Sequence, residues 1–256
     1  MNLPLEYWLH HALFYALLLL IHYLCGLLVI RYDVKVNYTR KINHFAFFFL
    51  PVLLQSIIAY DYSAAAFLMD IVFVFAFLTL FVEPVRNRFK SLTVMFRAID
   101  RPEDRPLTMA WLYTQFLASY LVLIPLLVYF ERHDILPLVM IVILANGIGD
   151  GLAEPVGVRF GKRKYSTCAL FTRKKYQRSY VGSACVYGAT FISILAFHSH
   201  FNTVQLAVAL LAIPVLITLA EAFSPHTWDS PLIYGVGGIA LIGVHWLGEA
   251  GCNGLL

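Results

Sequence analysis

The sequence predicts an all-α fold, a polytopic bundle of transmembrane helices with about eight spans and a working range of roughly seven to nine. Three observations predict it. Of 256 residues, 60% are hydrophobic and 13% are charged, against roughly 25% charge in a soluble domain. The mean hydropathy is +0.73. The apolar residues also gather in runs near the roughly 17–25 residues that a spanning helix needs. Such a chain cannot cover a water-facing surface, so its solvent is the lipid bilayer. Residues 1–256 read as one integral-membrane domain.

Taken in order, the candidate spans are 8–30, 45–60, 63–82, 109–130, 135–149, 180–197, 203–222 and 232–247. The first has no lysine or arginine before it, is long for the apolar part of a signal peptide and lacks a small-residue cleavage site, so it reads as a retained helix. The second and third are separated only by Asp61-Tyr62, which predicts a tight turn. The fifth is short, which predicts a helix that stops inside protein rather than in lipid. Lys and Arg gather in 31–44, 83–108 and 150–179, whereas the alternate connections 61–62, 131–134 and 198–202 hold only Arg132. By the positive-inside rule the first set is cytoplasmic, together with 221–230, and both termini are outside. Within 83–108, Val85, Phe89, Leu92, Phe96 and Ile99 recur at helical spacing with Arg86, Arg88, Lys90 and Arg97 among them. That pattern predicts an interfacial helix in the headgroup layer, its cations toward anionic lipid. Cys25, Cys168, Cys185 and Cys252 form no CxxC pair and no disulfide framework, and read as small apolar packing residues.

Chemistry concentrates where the fifth run meets a glycine-rich basic loop. Asn146, Asp150 and Glu154 are spaced i, i+4, i+8 and line one face if the helix continues past Gly149. An amide oxygen and two carboxylates are hard ligands suited to Mg²⁺, which takes one or two carboxylates and completes its octahedron with water and phosphate oxygens. The alternative is a polar helix end satisfied by solvent. Pro155 interrupts the run and is expected to end the helix near the site. Gly157 and Gly161, four apart, leave a strip of bare backbone that a ligand or a neighbouring helix can approach closely. Arg159, Lys162, Arg163 and Lys164 follow, then Arg173, Lys174, Lys175 and Arg178. Topology alone explains these cations but not the acids and glycines among them. On the same predicted side, Arg40-Lys41-Ile42-Asn43-His44 opens the second helix, and Glu221 and Asp229 flank the turn Phe223-Ser224-Pro225-His226-Thr227-Trp228. No GxxxxGK(S/T), HRD, DFG or HExxH element occurs, which removes P-loop enzymes, protein kinases and the commonest membrane zinc proteases.

Four stretches in order resemble the CTP-dependent polyprenol kinase family, which comprises phytol kinases, dolichol kinases and CTP-dependent diacylglycerol kinases and is distantly similar to phosphatidate cytidylyltransferases. Arg40-Lys41-x-x-His44 resembles its RKxxH element. Asp150-Gly-Leu-Ala153-x-x-x-Gly157-x-x-x-Gly161-Lys162 resembles its DxxAxxxGxxxGK core. Arg178-Ser179-Tyr180-Val181-Gly182-Ser183 resembles KSxEGS, and Glu221 with Asp229-Ser230-Pro231 resembles the closing E…DNxxxP element.

The resemblance implies a catalytic domain over the whole chain, phosphorylating a lipid alcohol from CTP with a divalent cation at the cytoplasmic face. Separately, no Arg- and Ser-rich, acid-poor leader of the organelle-targeting kind opens the sequence, so a bacterial inner membrane is the expected location. The resemblance also implies Mg²⁺ on Asp150 with Asn146, Glu154 or Glu221, and His44 or Asp229 as acceptor of the hydroxyl proton. Phosphate contacts would come from Arg159, Lys162, Arg178, Arg40 and Lys41, with Gly157, Gly161, Ser179, Gly182 and Ser183 around the nucleotide. The partners are then a lipid alcohol, a nucleotide and the bilayer, with no nucleic acid, and a homodimer is left open. Two positions depart from the family: its KSxEGS glutamate is Val181 here, and its DN pair reads Asp229-Ser230. Two other readings stay open, CDP-lipid synthesis of the cytidylyltransferase kind and a catalytically impaired or ligand-binding membrane protein.

Overall fold

The computed structural model describes residues 3–253. The chain ends, on which the expectation of two outside termini falls, and the Cys252 side chain lie outside the described residues. The chain forms two compact units, Met1–Tyr113 and Thr114–Leu256.

The first unit contains α1 (Leu5–Tyr32), α2 (Val36–Gln55), α3 (Ala64–Thr79), α4 (Glu83–Arg86), α5 (Lys90–Arg97) and the first turns of α6 (Thr108–Arg132). Its core is Phe14, Leu18 and Cys25 of α1 against Leu54, Phe77, Phe81, Leu92, Phe96, Ala98 and Ile99. α5 lies directly on α1 because Gly26 has no side chain: a Cβ there would stand 2.0 Å from the Val94 carbonyl oxygen. Ser63 starts α3 by accepting a hydrogen bond from the Ala66 amide at 3.2 Å. Beside it, the Asp70 carboxylate accepts from Tyr7 at 2.8 Å and Tyr62 at 2.7 Å and faces His11 Nε2 at 2.8 Å.

The second unit comprises the rest of α6, a continuous helical rod over 136–160, a β-hairpin, α9 (Tyr180–Ala196), α10 (Thr203–Phe223) and α11 (Asp229–Asn253). The rod consists of α7 (Val139–Leu144), a π-helical turn over Ala145–Asp150 and α8 (Gly151–Phe160). It is the central helix of this unit: 61% of its apolar window is buried, against 17–44% for the other long apolar helices. Ile141, Val142 and Ala145 of the rod pack among Val186 and Ile194 of α9, Ile213 and Ile217 of α10, and Ile233 and Leu241 of α11. Asn202 and Gln205 close the start of α10 with reciprocal side-chain to backbone bonds of 2.9 Å.

Each of the eight apolar runs coincides with a helix, and the all-α membrane class holds at that level. Five of these helices, among the described residues, are long and apolar enough to cross a membrane: Leu5–Tyr32, Thr108–Arg132, Leu136–Phe160, Thr203–Phe223 and Asp229–Leu247. Ala64–Thr79 and Tyr180–Ala196 are apolar but shorter, and α2 carries Arg40 and Lys41 within it.

Several local expectations change. The fifth run does not stop at Gly149, and Pro155 does not end it; the rod continues to Phe160 and stops at Gly161, whose amide bonds the Gly157 carbonyl at 3.0 Å. α2 begins at Val36, so Arg40, Lys41 and His44 sit inside the helix rather than at its opening. The connection from α2 to α3 spans 56–63 rather than the two residues Asp61-Tyr62. The interfacial segment breaks into α4 and α5 at residues 87–89, with Leu92, Phe96 and Ile99 buried and Phe89 left 56% exposed. The loop after α8 contains an antiparallel pair, β1 (Lys164–Thr167) with β2 (Tyr176–Ser179), Lys164 opposite Ser179 and Thr167 opposite Tyr176. Hydrophobic periodicity gave no sign of it, because the pairing is held by backbone bonds on a largely exposed, basic ribbon. Of the cysteines, Cys25 is buried as expected, whereas Cys168 is exposed.

Candidate active site in the second unit

Of the predicted residues of the second unit, Glu221, Asp229 and Ser183 gather around Arg178, the penultimate residue of β2. Its side chain is 12% exposed. One guanidinium nitrogen donates to the backbone carbonyl and the Oε1 carboxylate oxygen of Glu221. The other donates to Asp229 Oδ1 and, at 2.8 Å, to the Ser224 hydroxyl. Burial works against the charge on Arg178, but the Asp229 and Glu221 carboxylates outweigh it, and the guanidinium is held above its ordinary value. The planar fork of arginine suits this double recognition, which a lysine could not reproduce. Glu221 lies in the last turn of α10 and Asp229 begins α11, so a single arginine ties the two ends of the 224–228 turn together.

A chain of hydroxyls leads from this pair to the hairpin. Ser183 donates to Glu221 Oε2 at 3.0 Å, and Tyr165 OH lies 2.6 Å from Ser183 Oγ. Because the Ser183 proton is committed to Glu221, Tyr165 is the donor in its bond to Ser183. Burial, then the Glu221 charge, raises the pKa of Tyr165 above its ordinary 10.0. The hairpin is tied down nearer its tip as well. Thr167 donates to the Ser224 carbonyl at 2.7 Å, the His226 amide bonds the Cys168 carbonyl at 2.8 Å, and the His226 and Tyr176 rings stack 3.5 Å apart.

Asn146 and Asp150 lie in the π-helical turn and both are buried. π-turns inside α-helices recur at functional sites. Asn146 Nδ2 donates to Tyr234 OH at 2.8 Å, while its Oδ1 is buried with no hydrogen-bond partner among the described residues. The Asp150 carboxylate lies within electrostatic reach of both Glu221 and Tyr234. Glu154, one turn further along α8, is half-buried. A left-over amide oxygen beside a buried carboxylate is a donor set that fits a hard divalent cation. No three His, Cys, Asp or Glu side chains converge on a common point among the described residues. A cation here would therefore depend on Asp150, the Asn146 oxygen, water and the phosphate oxygens of a ligand. Glu221 fits that set poorly, since both of its carboxylate oxygens are engaged by Arg178 and Ser183.

The glycine strip is occupied by protein. A Cβ on Gly157 would fall 2.5 Å from Ser179 Oγ, one on Gly161 2.6 Å from Ser179 Cβ, and one on Gly182 2.6 Å from the Ala153 carbonyl oxygen. Of the two occupants open to these glycines, the neighbouring helix is the one present. Ser179 accepts from the Gly182 amide at 3.0 Å and so starts α9. Gly149 plays the same part deeper in the bundle, where a Cβ would stand 2.9 Å from Val186 Cα.

Other predicted residues lie apart from this cluster. Arg159 and Lys162 are exposed at the end of the rod, Arg159 over the Phe160 ring at 5.4 Å. Arg40, Lys41 and His44 belong to the first unit, where Lys41 is buried and His44 is half-buried beside Phe48. Val181, where the resembled family carries glutamate, is 39% exposed, while Gly182 and Ser183 next to it are buried. Sequence reasoning does not single out three participants, Tyr165, Ser224 and Tyr234. Thr227, in the same turn as Ser224, is unusual in another way, a β-branched residue at φ 66° whose hydroxyl is buried with no partner among the described residues. Such strained positions gather at functional sites. Nothing in the local sequence distinguishes these hydroxyls from ordinary packing residues.

No protein-family model, curated protein or solved structure matches this chain. The family reading therefore rests on the residues themselves.

Proposed function

We propose that the second unit carries the active site of a membrane kinase that transfers the γ-phosphoryl group of CTP to the hydroxyl of a lipid alcohol. One observation carries the reading. Three stretches that resemble family elements, far apart along the chain, bring Asp150, Arg178, Ser183, Glu221 and Asp229 into one electrostatic cluster. Buried carboxylates around a buried arginine, next to an orphaned amide oxygen, suit a ligand that brings both cation and phosphate.

In this reading the alcohol oxygen attacks the γ-phosphorus, the bond to the β–γ bridging oxygen breaks, CDP leaves, and the hydroxyl proton passes to a carboxylate. A divalent cation held by Asp150 and the Asn146 oxygen supplies charge neutralisation on the phosphates. Arg178 is held ready by Glu221 and Asp229, and an arriving triphosphate can take their place on its fork. That exchange frees Asp229 to receive the proton. Ser183 and Tyr165 keep Glu221 oriented throughout. The eight-span topology, the outside termini and the cytoplasmic placement of this site are part of the same proposal. They rest on the Lys and Arg distribution.

The test is to incubate purified protein with Mg²⁺, γ-labelled CTP and a panel of lipid alcohols, following label into the organic phase. Label in a lipid phosphate is the expected result. Pyrophosphate released when phosphatidate replaces the alcohols would move the protein to CDP-lipid synthesis. Silence in both arms would leave a non-catalytic membrane protein.

A further inference from the structure

The first unit contains a cationic pocket that the kinase reading does not use. Arg86, Asn87, Thr93, Arg97, Asp100 and Arg105, with Phe96 at its base, line a cavity of about 320 Å³. Three arginines face one acid, and that acid is fully engaged: Asp100 Oδ2 accepts from Arg105 Nε at 2.7 Å and Oδ1 accepts from Thr108 at 2.8 Å. Neighbouring Arg101, which does not line the cavity, pairs with Asp104 at 2.7 Å and stands 4.0 Å from Glu103, so these two acids are directed to Arg101 rather than to the pocket. Arg86 is anchored by its bond to the Phe81 carbonyl at 3.0 Å and by the Phe96 ring 4.0 Å below its guanidinium carbon. Arg105 is anchored by Asp100, whose backbone carbonyl also takes its Nη2 at 3.1 Å. Arg97 is exposed and has no hydrogen-bond or ion-pair partner among the described residues. Two guanidinia are thus oriented in advance and a third is left to close on a ligand, an arrangement suited to the tetrahedral oxygens of a phosphate.

The surroundings identify the source of that phosphate. The pocket opens between α4 and α5, and α5 rests on Gly26, six residues before the end of the membrane-length helix α1. Phe89, two residues from Asn87, is 56% exposed at the break between the two short helices. Cations beside an exposed aromatic ring, at the end of a membrane-length helix, belong to the headgroup layer.

We propose that this pocket binds the phosphate of an anionic phospholipid headgroup. The test uses the full chain in neutral-detergent micelles, titrated with phosphatidylglycerol, and in separate arms with phosphatidylcholine and with inorganic phosphate. Binding is followed by the rise in melting temperature and by retained lipid in native mass spectrometry. Phosphatidylglycerol should bind saturably. Arg97→Gln, which disturbs no existing partner, should weaken it on the order of tenfold through loss of one charge-assisted contact. Arg88→Gln, an exposed arginine that does not line the cavity, should leave it unchanged. Equal weakening by both variants would reduce the pocket to general surface charge and overturn the proposal. Inorganic phosphate binding or displacing as well as the lipid would overturn the headgroup assignment in favour of a soluble anion. Phosphatidylcholine binding as tightly as phosphatidylglycerol would overturn the requirement for anionic charge.

Discussion

Gly157 and Ser179 touch so closely that a methyl group on the glycine would stand 2.5 Å from the serine hydroxyl oxygen. That hydroxyl also starts α9 by accepting from the Gly182 amide, so the two helices are joined where one begins. Gly157→Ala should destabilise the protein by about 1–3 kcal/mol, the usual range for overpacking a fitted contact. Gly188→Ala, on the same α9 but with nothing within 4 Å of the added carbon, should be neutral or stabilising by about 0.5–1 kcal/mol. Comparing the two melting curves separates close packing from helix propensity.

Arg178 should be the most sensitive charged position of the second unit. Removing it with Arg178→Gln leaves Glu221 and Asp229, 4% and 8% exposed, without their cation. Breaking a buried pair in this way costs about 3–5 kcal/mol. Arg178→Lys keeps the charge but cannot satisfy both carboxylates at once, and should fall between wild type and glutamine. Chemical denaturation of the three proteins in one detergent measures the order.

Asp150 and Asn146 should respond together to a divalent cation. Mg²⁺ in the presence of CTP is expected to raise the melting temperature of wild type, because a ligand that binds only the folded state stabilises it. Asp150→Asn and Asn146→Leu should each lose most of that rise, and Asp150→Asn should abolish label transfer to lipid. Full activity in Asp150→Asn would sink the catalytic assignment.

Tyr165 makes an alkaline prediction. Its pKa is raised in the folded protein above the ordinary 10.0, so its contribution to stability is complete below that value. The contribution is lost as pH rises through the higher folded-state pKa. Tyr165→Phe lacks this ionisation, so wild type should lose melting temperature faster than the variant from pH 9 upward, a window set roughly by the ordinary tyrosine pKa. Parallel curves would place the Tyr165 hydroxyl outside the Glu221 network.

Much of this fold was legible along the chain. The eight apolar runs each fall on a helix, and five of those helices, among the described residues, are long and apolar enough to cross a membrane, where a helix satisfies every backbone amide and carbonyl locally. The single interfacial helix expected within 83–108 breaks at residues 87–89, and α2 begins at Val36, ahead of Arg40, since helix ends are settled by packing and capping rather than by hydropathy. Pro155 read locally predicts a stop, yet the helix runs through it, after the π-turn of Ala145–Asp150.

The sequence by itself determined the apolar character that suits a membrane, the helical class and the polar residues that gather in the second unit: Asn146, Asp150, Arg178, Glu221 and Asp229. It could do so because hydrophobicity, spacing and charge are properties of the chain read locally. Only tertiary structure decided what these groups do with one another. Arg178 meets Glu221 and Asp229 across 43 and 51 residues, and the glycine strip closes on Ser179 rather than standing open. Tyr165 and Tyr234 entered the cluster through packing of elements far apart in sequence, and Arg86, Arg97 and Arg105 came to share one cavity because the chain breaks and folds back between α4 and α6. Such pairings depend on which helix faces which, and that choice is made by the buried surface as a whole.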